Sequence, residues 1–273
     1  MTLALLLALS LAQTPSCPMP GEESRHWLDL VRHDRHPWTE KACRTIARSL
    51  PKKSQEETTY KWDGDRLVEV IELLDGHAYR DAVLEYDGKG RLTSRTESYP
   101  VGHPERITFQ YDSCGRLSGA KTSHPPDAEG EDELTYDELG RLKSLHSVNR
   151  GKHAYDYTLS FTYEGGRLTE WRQERDGKPA SWARHSYDAK GRPATTTYGS
   201  GTVETFVYDD SGRQTFRKRR KSDGTMFDRS TTRYDDSAHT MEMDLEAPGK
   251  DGYPAKVTVY FQCLPPTDAA WRQ

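Results

Sequence analysis

The sequence predicts a mainly β fold, a long antiparallel meander of hairpins that forms a twisted or curled solenoid-like sheet, with a short N-terminal helical cap. Three observations predict this class. A turn motif with a leading aromatic residue recurs at steps of 21 to 27 residues, and apolar and polar residues alternate before most copies. A segment near the N-terminus has helical spacing instead. The sequence leaves open whether the sheet stays open or curls closed.

The composition narrows the class of protein. Hydrophobic residues make up 33% of the chain, charged residues 30%, and the mean hydropathy is -0.94. A doubly wound α/β enzyme needs nearly continuous apolar strands, which such a chain does not supply. Aromatic residues at 10% argue against intrinsic disorder. The net charge of -4, with interspersed signs, does not indicate a nucleic-acid partner or an anionic membrane surface.

The repeated motif has the form Tyr-Asp-x-x-Gly-Arg-Leu and occurs in eight copies, five of which have the full Tyr-Asp-x-x-Gly-Arg core. Its leading aromatic residues are Trp62, Tyr86, Tyr111, Tyr136, Tyr163, Tyr187, Tyr208 and Tyr234. Its turn glycines are Gly90, Gly115, Gly140, Gly166, Gly191 and Gly212. Its arginines are Arg66, Arg91, Arg116, Arg141, Arg167, Arg192 and Arg213. This regularity predicts one repeat array rather than several domains.

Each copy predicts a strand, a turn, a return strand and a second turn. Ile107, Phe109 and Tyr111 illustrate the period of two that is typical of a half-buried strand. The motif Asp opens the turn, and the Gly supplies a positive φ. Eight units predict sixteen strands, and residues 256–262 predict a seventeenth. We expect the array to cover residues 55–263, with a C-terminal tail over 264–273.

The N-terminal residues predict an export signal. An apolar run over residues 3–11 predicts a signal peptide over residues 1–12. The run is shorter than the roughly 20 residues that a membrane-spanning helix needs. The alternative is a lipoprotein signal over residues 1–16, which would leave Cys17 acylated. Both predict an extracytoplasmic protein (periplasm, cell surface or secreted) without a transmembrane segment, and with membrane attachment only through an acylated Cys17.

Residues 13–54 are predicted to form the N-terminal helical cap. Pro37 and Pro51 would end two short helices. A repeat array needs a covered end, because the unpaired backbone groups of an exposed terminal strand can pair with another chain. The alternative is a separate recognition motif. The apolar residues with helical spacing are Trp27, Leu30, Val31, Ala42, Cys43, Ile46, Ala47 and Leu50.

The four cysteines form no Cys-x-x-Cys pair, so the spacing typical of zinc or thioredoxin-like sites is missing. An even number of cysteines in an exported chain indicates disulfides. Cys17 with Cys43 is the simplest pair, because the two residues flank one short segment. Cys114 and Cys263 are either bonded or buried thiols, and a bond between them would require the sheet to curl back on itself.

The motif resembles the YD repeat of the Rhs/teneurin-like family, over about residues 55–262. The resemblance implies a long antiparallel sheet, which in large members curls into a hollow shell that can enclose a toxic C-terminal segment. It also implies contacts with glycans or other proteins. This chain has too few repeats to enclose a sizeable cargo, and after Cys263 only ten residues follow. The resemblance therefore implies a short exported member without a toxin domain.

The motif arginines have two interpretations. They could form a ladder that binds anionic glycan or phosphate. The favoured interpretation is structural: each Arg packs on a neighbouring Tyr and pairs with the turn Asp. The motif tyrosines are assigned to the buried face as cross-strand pairs. The candidate ligand-binding aromatic residues are then those outside the motif, namely Trp171, Trp182 and Tyr198.

The remaining chemistry-bearing groups predict no site. His26, His33 and His36 lie near one another, but Pro37 follows directly and no further ligand is evident, so we expect no metal and no cofactor. The basic run over residues 216–221 is typical of a solvated strand end beside an acidic neighbour. No nucleophile, zinc or phosphate-loop motif occurs in a supporting context.

The sequence therefore favours an exported, non-enzymatic protein with a binding or scaffold role at the cell envelope, whose partner is a glycan or a surface protein. The alternative is a shell or accessory component of a polymorphic-toxin system. A carbohydrate-active enzyme is a third hypothesis, because residues on different strands could meet in a site that sequence order does not reveal. The oligomeric state is left open.

Overall fold

The computed structural model describes residue 18 and residues 43–50, 54–126, 128–151, 154–237, 239–247 and 256–262. These residues form eighteen β-strands and no helix. The strands are β1 (Arg44–Leu50), β2 (Gln55–Asp63), β3 (Arg66–Leu74), β4 (His77–Tyr86), β5 (Leu92–Ser98), β6 (Glu105–Tyr111), β7 (Leu117–His124), β8 (Ala128–Tyr136) and β9 (Leu142–Gly151). They continue with β10 (Tyr155–Glu164), β11 (Arg167–Arg175), β12 (Lys178–Tyr187), β13 (Pro193–Tyr198), β14 (Val203–Tyr208), β15 (Gln214–Arg220), β16 (Met226–Asp235), β17 (Thr240–Glu246) and β18 (Lys256–Gln262).

The sheet is a closed antiparallel barrel. From β2 to β18 each strand pairs with its neighbours in the chain, and β1 pairs with both β2 and β18. The predicted fold class, a solenoid-like sheet with a helical cap, is therefore wrong. Strands twist with a fixed hand, so a long meander can curl until its two edges meet. Closure leaves no unpaired edge strand.

The prediction of a helical cap is wrong for the residues of the cap that the structure describes. Residues 44–50, expected in the second helix, form β1. Their spacing suits a helix, but a strand at this place is hydrogen-bonded on both sides, and this tertiary gain outweighs a weak local preference. The first predicted helix, with Trp27, lies outside the described residues. So do residues 1–12 and 264–273, whose assignments stay predictions.

Five of the motif turns are built by their Asp. In the third copy, the Oδ1 atom of Asp112 accepts hydrogen bonds from the backbone N–H groups of Cys114 (2.9 Å) and Arg116 (2.8 Å). Its Oδ2 atom accepts the Nε–H of Arg116 at 2.7 Å. Gly115 has a φ of 80°, a left-handed conformation that favours glycine. The side-chain pairing from Arg to Asp recurs at Asp87, Asp137, Asp188 and Asp209.

The motif side chains couple each unit to the next. The hydroxyl of Tyr136 donates to the carbonyl of Leu117, which begins the return strand of the preceding unit, at 2.6 Å. The guanidinium of Arg116 lies over the Tyr136 ring, 4.6 Å from its centroid. The same hydroxyl bond is made by Tyr86, Tyr111, Tyr163, Tyr187 and Tyr234. The same stacking is made by Arg66, Arg91, Arg141, Arg167, Arg192 and Arg213.

The core lies on one face of the sheet, the inner face of the barrel. Its main cluster runs over β6 to β11 and includes Ile107 and Leu142, both fully buried. Motif tyrosines, including Tyr111 and Tyr136, pack against it. Buried charges also lie on this face: Arg80 pairs with Glu72 (2.6 Å) and with Glu97 (3.0 Å). Ion pairing of this kind is what permits charged groups to be buried.

We expect Tyr136→Phe to lower the free energy of unfolding by about 1 kcal/mol, because it removes the hydrogen bond to the Leu117 carbonyl and leaves the ring in place. Denaturant titration measures the change. The matched control is Tyr79→Phe, because Tyr79 is exposed and its hydroxyl bonds to no described residue. Equal effects of the two substitutions would show that the hydroxyl bonds do not couple the repeats.

The motif turns also predict acid sensitivity. Burial disfavours the charged form of Asp112, but the hydrogen bonds from Arg116 lower the pKa of this carboxyl below its ordinary value. The pKa values of Asp87, Asp137, Asp188 and Asp209 are lowered as well. A carboxyl with a depressed pKa in the folded state stabilises the fold above the unfolded-state pKa of about 4. That stabilisation is lost as pH falls through the folded-state pKa.

The melting temperature should therefore fall as pH drops below about 4, and Asp112→Asn should make this fall shallower. Differential scanning calorimetry between neutral and acidic pH measures it. Asp210→Asn is the control, because Asp210 is an exposed carboxylate that accepts no hydrogen bond from the described residues. A pH profile unchanged by Asp112→Asn would contradict the stabilising role of the turn carboxylates.

Candidate ligand pocket

A pocket lies at the barrel rim opposite the motif turns. Two of the second turns of the repeat units meet there: the turn between β11 and β12, at Asp176 and Gly177, and the turn over residues 198–202. The pocket volume is about 570 Å³, which is in the range of small-ligand sites. Its lining consists of Arg172, Gln173, Glu174, Pro179, Ala180, Ser181, Trp182, Gly199 and Ser200.

Strand register explains why these residues meet. Arg172 lies directly opposite Trp182, and Gln173 lies opposite Ser181. The register shifts between Gln173 and Glu174, so that Glu174 lies opposite Pro179. Such a bulge twists the end of a strand and re-aims its side chains. In a regular strand, successive side chains point to opposite faces of the sheet. The register shift changes this, so that neighbouring side chains border the same pocket.

The turn over residues 198–202 forms one wall of the pocket. The backbone N–H of Gly199 donates to the carbonyl of Trp182 at 2.8 Å, which fastens the turn to β12. A Cβ atom at Gly199 would lie 2.9 Å from the Trp182 Nε1 atom and 3.0 Å from its Cδ1 atom. Glycine at this position thus permits the indole to lie directly on the turn backbone.

Charged side chains hold the pocket edge in place. The Oε2 atom of Glu170 accepts the Nε–H of Arg184 at 2.8 Å, and its Oε1 atom accepts the Nε–H of Arg172. The Arg184 hydrogen bond is the main cause that lowers the pKa of Glu170 below its ordinary value. The Arg184 guanidinium lies 5.0 Å from the centroid of the Trp182 ring. The Glu170 carboxylate thus holds two side chains in place: Arg184, whose guanidinium lies beside the Trp182 indole, and Arg172 of the pocket lining.

Of the three aromatic residues predicted as ligand contacts, the structure places only Trp182 in the pocket lining. Tyr198 precedes the lining residue Gly199, but its hydroxyl donates to the Oε2 atom of Glu204 at 2.8 Å. Burial and this hydrogen bond raise the pKa of Tyr198 to about 12, so the hydroxyl stays protonated and bound to Glu204. Trp171 packs against the main core cluster.

The lining residues Arg172, Gln173, Glu174, Ser181 and Ser200 were not predicted as ligand contacts. The available signal was the position of the turns. Second turns of successive units lie at the same rim, so residues that flank two of them can be expected to be neighbours. The bulge, whose extra residue is Ala180 of β12, has no clear sequence signature, and it determines which side chains reach the pocket.

The basic run over residues 216–221 is partly internal. Arg217 pairs with Glu204 (3.2 Å) and Asp228 (3.2 Å), and Arg219 pairs with Asp228 as well. Glu204 and Asp228 are both buried. These arginines therefore neutralise buried carboxylates on the inner face, close to Tyr198, and do not form a solvated strand end.

Within the described residues, no group of three or more His, Cys, Asp or Glu side chains is placed to hold a metal ion. No helix in this part of the chain is long and apolar enough to cross a membrane. His26, His33 and His36 lie outside it. Cys43 and Cys114 are both disulfide-bonded. The predicted pairing of Cys43 with Cys17 involves a residue outside the described part and stays a prediction.

Comparison with known proteins gives likenesses in structure alone. No family model and no curated protein matches the chain. Among solved structures, it is similar to TcdB2-TccC3 without its hypervariable C-terminal region, with 13% identity, 80% of this chain covered and a TM-score of 0.33. It is also similar to a porin-like protein from Bacteroides uniformis, with 9% identity, 82% of this chain and 98% of that chain covered, and a TM-score of 0.45.

A third likeness is to the Photorhabdus luminescens Tc holotoxin pore, with 11% identity, 75% of this chain covered and a TM-score of 0.20. This chain spans only 16% of the TcdB2-TccC3 chain and 18% of the holotoxin chain that it matches. The structural neighbours thus include Tc toxin components. TM-scores of this size do not establish a shared fold.

We expect Gly199→Ala to displace the Trp182 indole, because the new methyl group would lie within 3.0 Å of two ring atoms. The indole N–H resonance of Trp182, assigned with a Trp182→Phe variant, should shift in a ¹H–¹⁵N spectrum. Gly88→Ala is the matched control, because a Cβ atom at Gly88 meets nothing within 4 Å. An unshifted resonance in Gly199→Ala would contradict the close contact between the indole and the turn.

Proposed function

We propose that this chain is an exported, non-enzymatic YD-repeat protein that binds a glycan through the pocket around Trp182. The observation that carries the proposal is the combination, in one pocket, of an indole with several uncharged and charged hydrogen-bonding side chains. The sequence analysis predicted a binding or scaffold role at the cell envelope, with a glycan or a surface protein as partner. Of these possibilities we propose glycan binding.

The chemistry of the lining suits a sugar ring. A pyranose has an apolar face of C–H groups that packs on an aromatic ring, and a rim of hydroxyl groups that both donate and accept hydrogen bonds. Trp182, with Pro179 beside it, offers the apolar surface. Gln173 and Ser181 can donate and accept, while Glu174 accepts.

The charges of the pocket favour a neutral or weakly charged saccharide. Arg172 and Glu174 contribute one charge of each sign to the lining. The Arg172 guanidinium is already paired with Glu170. No excess of positive charge is therefore available for a polyanion. A volume of about 570 Å³ is sufficient for one or two sugar units.

We place the protein outside the cytoplasm. The apolar run over residues 3–11 supports export. The disulfide-bonded state of Cys43 and Cys114 supports an oxidising compartment, because reducing conditions keep thiols free. Absence of catalysis is part of the proposal, and turnover of a bound glycan would overturn it.

A second candidate function is favoured by one observation, the closure of the sheet. YD-repeat sheets that curl closed resemble the shells of polymorphic-toxin systems, so the chain could be a shell or accessory component that assembles with another chain. Copurification of a specific partner chain at fixed stoichiometry, together with the absence of glycan binding, would favour this function over the first.

We expect Trp182→Ala to lower glycan affinity about tenfold or more, because the stacking surface is lost while the turns remain. A glycan array identifies the ligand, and isothermal titration calorimetry of the best glycan gives the affinities. Tyr79→Ala is the control, since Tyr79 is an exposed aromatic residue on β4, outside the pocket. An array without binding, or equal affinity of Trp182→Ala and the unmodified chain, would show that the pocket is not a glycan site.

A further inference from the structure

The disulfide connectivity can be inferred from the closed fold. Cys43 and Cys114 are both disulfide-bonded, and the chain has four cysteines. Cys43 immediately precedes β1, whereas Cys114 lies in the turn between β6 and β7. More than five strand spacings of about 4.8 Å separate them along the sheet, and a disulfide needs Cα atoms within about 7 Å. Each is therefore expected to bond with Cys17 or Cys263.

The seam of the barrel indicates the partner of Cys43. In the pairing of β1 with β18, Arg44 lies opposite Gln262. Cys43 precedes Arg44 and Cys263 follows Gln262 in the sequence, so a register continued by one residue would pair the two cysteines; Cys263 lies outside the described residues. The carbonyl of Cys43 accepts a hydrogen bond from the N–H of Tyr60 at 2.8 Å, so it points towards β2 and away from β18. The pair at the seam would then be a non-hydrogen-bonded pair, in which Cα atoms are about 4.5 Å apart and side chains are close. That separation is within the disulfide range.

The turn of the fourth motif indicates the partner of Cys114. A Cβ atom at Gly140 would overlap the carbonyl of Pro18, so residue 18 lies directly on this turn. The turn that contains Cys114 is the neighbouring motif turn, two strand spacings or roughly 10 Å away. Cys17 is bonded to Pro18, and consecutive Cα atoms are about 3.8 Å apart. Cys17 lies outside the described residues, but its peptide bond to Pro18 keeps it close enough that we expect Cys114 as its partner.

The same contact argues against the pair Cys17 and Cys43. The turn at Gly140 lies between β8 and β9, and β1 is more than seven strand spacings away along the sheet. A round barrel of eighteen strands at about 4.8 Å spacing has a diameter of about 27 Å, and these two places lie nearly opposite each other. One residue beyond Pro18 cannot cross that distance.

We propose that the four cysteines form the bonds Cys43–Cys263 and Cys17–Cys114. The first closes the barrel seam covalently, and the second fastens the N-terminal segment to the motif-turn rim. In each bond, two thiols lose two protons and two electrons to a protein disulfide of the thiol-oxidoreductase class, which is reduced to a dithiol. A disulfide at Cys17 leaves no thiol for acylation, so it also decides between the two export signals in favour of ordinary secretion.

Peptide mapping of the full chain without reduction tests the proposal. Trypsin separates the four cysteines, which lie in the peptide that ends at Arg25 and in those over residues 42–44, 107–116 and 257–272. We expect the first to be linked to the third and the second to the fourth. A link between the first two, a free thiol at any of the four residues, an acylated Cys17 or an intermolecular link would each overturn it.

Two cysteine variants give matched tests. Cys114→Ser should leave one free thiol, at Cys17, with the seam bond intact, whereas Cys263→Ser should leave one at Cys43 with the other bond intact. Alkylation before digestion locates the free thiol. If the free thiols appear in the reverse assignment, the proposed connectivity is wrong.

Glycine variants test the Pro18 contact separately. Gly140 and Gly90 have the same φ of 79° in equivalent turns, but only at Gly140 would a Cβ atom meet Pro18. Alanine at either position incurs the same backbone strain. During oxidative refolding, Gly140→Ala should form the Cys17–Cys114 peptide more slowly than Gly90→Ala. Equal rates would show that the contact does not guide this bond.

Discussion

The structure depends on the coupling between neighbouring motif turns. Six of the seven motif tyrosines donate their hydroxyl to the return strand of the preceding unit, and the preceding arginine covers the ring of each, as Tyr136, Leu117 and Arg116 illustrate. Because this coupling acts only between neighbours, successive units add similar interfaces, and the array extends one unit at a time. It also explains the low mean hydropathy of -0.94, since aromatic rings with satisfied hydroxyls replace aliphatic side chains along the rim.

An open array of this kind would have two edge strands with unpaired backbone hydrogen-bonding groups. Closure of the sheet pairs these groups with each other. β1 pairs with β2 on one side and β18 on the other, so residues more than 200 positions apart become hydrogen-bonded neighbours, as Arg44 and Gln262 are. Closure also separates an inner face from the solvent. Charged residues on that face must then be paired, and Arg80 with Glu72 and Glu97 shows how: each carboxylate is held by the guanidinium, and all three side chains are almost completely buried.

The two rims of the barrel serve different purposes. At the motif rim, the Asp, Arg and Tyr side chains are engaged with one another, which leaves few groups for a ligand. At the opposite rim the described turns vary in length and sequence. The pocket around Trp182 lies there, where a bulge in β12 and the glycine at position 199 bring side chains of two hairpins together. Loops carried on a rigid scaffold are the usual place for recognition, and this distribution supports a binding role.

The amino-acid sequence by itself determined the hairpins. An Asp that bonds to backbone groups two and four residues later, and a Gly with positive φ, act over a few residues, so the turns at Asp112 and Asp137 could be predicted without the rest of the chain. Only the tertiary structure decided that residues 44–50 form a strand, that the sheet closes, and that Trp182, but not Trp171 or Tyr198, reaches a pocket. These outcomes depend on accumulated strand twist, on pairing between distant segments and on a one-residue register shift. Twist and closure are sums over the whole array, and the register shift is set by how two strands pair, so a pattern within one strand encodes none of them.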